Sequence, residues 1–193
     1  MKLIHVSAAI GLLGLAACNA PPSPRGGEHM FAELSQYCGQ AFEGHVTSDD
    51  PRDADWAAET LTVHFRDCSN VQLRIPLHVG DDRSRTWIIS RETDGLRLQH
   101  DHRHEDGSED AVSMYGGSTE TPPADGRAQF PADEFSKNLF EREGLAVSVT
   151  NVWTIALTDT SLTYALDRPE RHFEVSFDLT HPVDAPPAAW GAE

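Results

Sequence analysis

Residues 61–104 run LTVHFRDCSNVQLRIPLHVGDDRSRTWIISRETDGLRLQHDHRH, and their apolar residues recur at every second position. Leu61, Val63 and Phe65 share one face, with Thr60, Thr62, His64 and Arg66 on the other. Val71, Leu73, Ile75 and Leu77 repeat the pattern, and Pro76 restricts that strand to an edge or a bulge. Trp87 and Ile89 share a side within Arg85–Arg91, and Asp94-Gly95 turns the chain into Leu96–His104. A period of two places successive side chains on opposite faces of a sheet, so this stretch reads as half-buried antiparallel strands.

The pattern continues toward the C-terminus. Strands are expected over 145–150, 152–157, 161–167 and 172–179, separated by Asn151, by 158–160 and by Arg168-Pro169-Glu170-Arg171. A Gly/Pro-rich stretch at 116–127 reads as a loop, and Pro131 is expected to open a helix through Phe135, Leu139 and Phe140. Upstream, Met30, Phe31, Leu34 and Tyr37 fall at helical spacing and Gly39 can end that helix, while 48–58 reads as an acidic loop. Nine or ten short strands with tight turns imply an all-β, antiparallel architecture. An up-and-down barrel with a short leading helix and one helical insertion buries its edges most fully; a two-sheet sandwich is the alternative. Leu34–Val46, LSQYCGQAFEGHV, resembles the opening segment of the lipocalin-like group, with Gly39-Gln40-Ala41-Phe42 where that group carries Gly-x-Trp. The resemblance implies a barrel that carries a small ligand.

The N-terminus speaks to address. Met1-Lys2 is positively charged, and the apolar run Leu3–Ala17 is too short for a membrane span, which needs about 20 residues. Leu15-Ala16-Ala17-Cys18 resembles the lipobox of bacterial lipoproteins. That resemblance implies cleavage before Cys18, a diacylglyceryl thioether on its sulfur and acylation of the new amino group, which together anchor stably. Asn19, where an aspartate would favour the inner membrane, points to the outer membrane facing the periplasm. The expected organisation is a signal peptide over 1–17, a Pro/Gly-rich tether over 18–29 and a single domain over 30–193.

With Met1–Ala17 removed, 14 basic residues face 31 acidic ones, a net charge of −17 with histidine neutral. Such acidity argues against nucleic acid as a partner, because phosphate contacts need clustered Lys and Arg. With Cys18 lipidated, Cys38 and Cys68 remain as a pair, and an oxidising compartment favours a disulfide between them. It would close a loop of about 30 residues, worth on the order of 3 kcal/mol.

The chemistry concentrates in QHDHRHEDGSED, Gln99–Asp110. On a regular strand Leu96, Leu98, His100, His102 and His104 point one way, so an apolar face runs directly into three imidazoles. Adjacent histidines of such a row lie about 6.5–7 Å apart and can share Zn²⁺ or Cu²⁺, with His64, His78, Asp81, Asp82 or Glu105 as candidate further ligands. The alternatives are a solvated hairpin end whose charges pair with Arg97 and Arg103, and a pocket wall that touches haem or an acidic small molecule. Arg83, Arg85 and Tyr115 are further ligand-contact candidates, and Trp87, Trp153, Phe173 and Phe177 read as core. Ser148, Ser161 and Ser176 lack a Gly-x-Ser-x-Gly setting, and no phosphate-cradling or dinucleotide glycine motif occurs. Three functions compete: non-enzymatic binding of a small ligand or metal, a ligand-free structural or interaction lipoprotein, and a metal-dependent hydrolase.

Overall fold

The computed structural model describes residues 26–192. The expected signal peptide, Cys18 and the tether as far as Arg25 lie outside the described residues. The described residues begin with helix α1 (Gly26–Ser35), which takes in Gly26–His29 of the stretch expected as tether. Strands β1 (Ala41–Val46), β2 (Leu61–His64), β3 (Asp67–Cys68), β4 (Gln72–Val79), β5 (Asp82–Arg91), β6 (Leu96–His102) and β7 (Tyr115–Ser118) follow, with a short helix α2 (Ala54–Ala57) between β1 and β2. Strand β8 (Arg127–Pro131), helix α3 (Glu134–Arg142), β9 (Val152–Leu157), β10 (Ser161–Arg168) and β11 (Arg171–Val183) complete the domain.

The strands form one antiparallel sheet in the order β7-β6-β5-β4-β2-β1-β11-β10-β9-β8, with the two-residue β3 beside β4. Sequence neighbours are spatial neighbours, and β11 returns to pair with β1. The sheet therefore curls into a nearly closed, ten-stranded up-and-down barrel, and not a two-sheet sandwich. Its seam lies between β7 and β8. There a Cβ added to Gly117 would stand 1.8 Å from the Pro131 carbonyl oxygen, a separation that only glycine permits.

Period-two alternation fixes which side faces in. Leu61, Val63, Leu73, Ile75, Leu77, Trp87, Ile89, Leu96, Leu98, Val175 and Phe177 are all buried in one core. Helix α1 plugs one end of the barrel with Met30, Phe31 and Leu34. Beneath it Tyr37, Phe42 and Phe65 meet with ring centroids 5.6–6.3 Å apart. The expected Cys38–Cys68 disulfide is present and ties the end of α1 to β3 at this same end.

Four local expectations are corrected. Pro76 lies in an interior strand: Leu77 pairs with Val63 of β2 and Arg74 with Asp67 of β3, and Pro76 falls in the gap between the two ladders. Its missing N–H is tolerated there. Pro131 ends β8 instead of opening a helix; α3 starts two residues later, behind Asp133, whose side chain accepts from Ser136 N–H at 2.8 Å. Residues 145–150 are not a strand: Ala146–Thr150 is a 3-10 helix following Gly144 at φ 75°. Alternating apolar residues make no strand without a free sheet edge, and β9 is already flanked by β8 and β10. The Gly/Pro-rich stretch, expected to be a loop, holds β7's Gly116–Ser118 and leads into β8.

Candidate functional site

Apolar side chains fill the α1 end of the barrel, and the opposite end holds a cavity of about 340 Å³. Strand β6 supplies its central wall. Leu96, Leu98 and His100 are buried on the inner face, His102 is partly buried beside them, and both histidines line the cavity. His104 lies beyond the strand; its side chain is 58% exposed and 3.8 Å from Asp110. The inward histidine row therefore has two members instead of three.

His100 is held at both nitrogens. Nδ1 lies 3.1 Å from the Tyr115 carbonyl oxygen and Nε2 2.9 Å from Tyr164 Oη. A carbonyl only accepts, so Nδ1 carries the proton and Nε2 accepts from the Tyr164 hydroxyl. Burial takes His100 down to about 3, with His102 adding to the fall. Burial also takes His102 down to about 4, followed by the effect of Arg85. The Tyr115 hydroxyl lies 3.0 Å from His102 Nε2 and is pushed up by burial to about 12. The rings are packed as well as bonded: His100 stacks on Tyr115 at 4.7 Å and Trp87 on Tyr164 at 4.5 Å, with Trp153 tilted 5.0 Å from His100. This wall is neutral and aromatic, with both nitrogens of His100 hydrogen-bonded.

The mouth has the opposite character. Arg52, Arg85, Arg168 and Arg171 line it, with Asp53 as the single carboxylate among the described lining residues and Asp50 and Asp82 behind them, in a chain that carries 31 acidic and 15 basic residues. Residues 48–58, expected to be a plain acidic loop, fold over this end. Asp50 caps the turn Pro51–Asp53 through the Arg52 N–H, and Trp56 meets Phe173 edge-on at 5.1 Å. Arg171 donates to both oxygens of buried Asp53. Burial pushes the Asp53 carboxyl up, but hydrogen bonds from Arg171 and Ser48 outweigh it and hold the group below its ordinary value. Arg85 pairs with Asp82 at 2.5 Å and lies 4.9 Å above the Trp56 ring. Arg168 donates to the neutral Asn151 Oδ1 at 3.2 Å.

The other candidates fall elsewhere. His64 and His78 stand on the outer face of β2 and β4, so the barrel wall separates them from His100 and His102. Buried His78 leaves Nε2 without a partner among the described residues. Glu105 is exposed in the turn after β6. Arg83 also faces outward, where it donates to the Ala188 carbonyl oxygen at 3.2 Å. On the outer face of β6, buried Asp101 is clasped by Arg74 at 2.8 Å and Arg103 at 2.7 Å, while Arg97 pairs with Asp133 at 2.6 Å. Arg85 and Tyr115 do line the cavity. Among the described residues, no three His, Cys, Asp or Glu side chains are grouped to hold a metal ion. Trp87, Trp153 and Phe173 are buried as expected and line the cavity too. The arginines at 52, 168 and 171 escaped the sequence reading, because only closure of the barrel brings residue 52 beside the β10–β11 turn. Compared with protein-family models, with curated proteins and with solved structures, the chain matches none.

Proposed function

We propose that this protein is an envelope lipoprotein that binds a small, largely apolar molecule inside its barrel without transforming it. The observation that carries the reading is the cavity of about 340 Å³, a volume within the small-molecule range, with an aromatic floor and a few polar groups at its mouth. A ligand-free structural role has no use for such interior space. A metal role finds little support, since the hydrogen bonds of His100 occupy both its ring nitrogens. The same engagement disfavours His100 as a haem ligand. Hydrolysis would further need a third ligand and a carboxylate beside a bound water. Anchoring through Cys18 at the periplasmic face of the outer membrane rests on the lipobox-like Leu15-Ala16-Ala17-Cys18 and on Asn19.

The test is titration of the purified domain with N-phenyl-1-naphthylamine, a neutral apolar fluorophore. One saturable site per chain is expected. Ser148→Trp, which places an indole at the cavity mouth, should weaken binding by about tenfold or more. Absence of saturable binding to the unaltered protein would remove the proposal.

A further inference from the structure

We infer that the bound molecule is an aromatic monocarboxylate, its ring held among the side chains of the cavity and its carboxylate received by Arg168. The inference rests on the binding role proposed above and specifies the chemistry of the occupant. Arg52 pairs with Asp50, Arg85 with Asp82, and Arg171 with Asp53 and, at 3.3 Å, Asp50. Arg168 alone of the four has no carboxylate partner among the described residues. Asn151 Oδ1 takes one of its N–H groups and leaves a planar fork that can grip a carboxylate with two bonds. One uncompensated guanidinium calls for one negative charge.

The position of Arg168 strengthens the point. Arg168 is the last residue of β10 and faces Arg171 across the final pair of the β10–β11 ladder, and both residues line the cavity. Burial pushes the Arg168 guanidinium below its ordinary value, and Arg171 and Arg52 push it further. An anion placed there relieves both effects. Asn151 is itself fixed: it is buried, donates its N–H to Ser148 and accepts at its carbonyl from Ala132. Arg168 is thus aimed before any ligand arrives, which lowers the ordering cost of binding.

The lining selects the body of the ligand. Nine of the residues around the cavity carry rings and four are aliphatic. Rings recognise rings by stacking and edge contacts at centroid distances of about 4.5–7 Å, whereas an acyl chain gains nothing from that geometry. The stacked pairs already present in this wall use the same arrangement.

Calorimetric titration with 2-naphthoate and with its neutral counterpart 2-naphthalenemethanol tests the inference. The acid is expected to bind about tenfold more tightly than the alcohol, from one charge-assisted contact. Arg168→Gln should bring the two affinities within about twofold of each other, and Arg168→Lys should keep part of the preference. Equal affinity of acid and alcohol for the unaltered protein overturns the carboxylate site and leaves the binding role standing. Failure of both compounds to bind overturns the inference, and the binding role falls with it where N-phenyl-1-naphthylamine fails to bind as well. The comparison on the unaltered protein needs no variant, so a variant that fails to fold does not blunt it.

Discussion

His100 is a titratable group placed where its charged form has nowhere to go. Its Nδ1 proton is committed to a carbonyl, its Nε2 lone pair to the Tyr164 hydroxyl, and aromatic rings occupy the rest of its surroundings. Protonation would make Nε2 a donor facing a hydroxyl that must then turn its own proton elsewhere within the core. The folded protein therefore holds His100 at about 3, far below the ordinary 6.5. The consequence for stability has a definite sign. Between pH 6.5 and about 3 the unfolded chain binds this proton and the folded chain does not, so acidification favours unfolding. Stability is full above pH 6.5 and falls as pH drops through that window, with His102 acting in the same direction down to about 4. Denaturant unfolding at pH 7.5 and pH 4.5 should differ by about 3 kcal/mol from His100 alone. His100→Gln can keep a donor and an acceptor without titrating, and should flatten that difference. An undiminished slope in the variant would place the acid sensitivity elsewhere.

At the scale of elements, the weak point of the barrel is the seam between β7 and β8, and α3 bridges it. Ser136 is fully buried; its Oγ accepts from Gly116 N–H at 2.7 Å and lies 2.7 Å from Asp133 Oδ1. Asp133 N–H in turn donates to the Gly116 carbonyl oxygen at 2.9 Å. The N-terminus of α3 thus satisfies the edge of β7 where a further strand would otherwise pair. Ser136→Ala leaves the Gly116 N–H buried without its acceptor and should destabilise the domain by about 1–3 kcal/mol. Amide exchange at Gly116 should accelerate in parallel, and an unchanged exchange rate would deny the seam this role. The seam also marks where the sequence stops being legible. Strands β4 to β6 and β9 to β11 announce themselves because each packs several alternate apolar side chains on one core. Strand β8 buries only Ala128 and Phe130 within its span, and β7 is built around two glycines that show no alternation at all. The inward turn of His100 and His102 follows from their spacing behind Leu96 and Leu98. The guanidinium groups of the mouth do not, since Arg171 meets Asp53 across 118 residues of chain.

The two ends of the molecule differ in character. One end is sealed by α1, by the Tyr37–Phe42–Phe65 cluster and by the Cys38–Cys68 link; the other carries the arginine-lined mouth. Gly26, the first described residue, lies on the sealed end, where a Cβ added to the adjacent Gly27 would meet the Gly95 backbone at 2.9 Å. The strands between the two ends span on the order of 25–30 Å, from about 3.3 Å per residue and the length of β5. If Cys18 carries lipid, the link to it leaves the domain from the sealed end, opposite the mouth. Anchoring and ligand entry are then independent. Lipidated protein on phosphatidylethanolamine–phosphatidylglycerol vesicles should bind N-phenyl-1-naphthylamine, corrected for uptake by the lipid, within about twofold of the soluble Cys18→Ser form. A large loss of binding on the vesicle would mean that the mouth faces the bilayer.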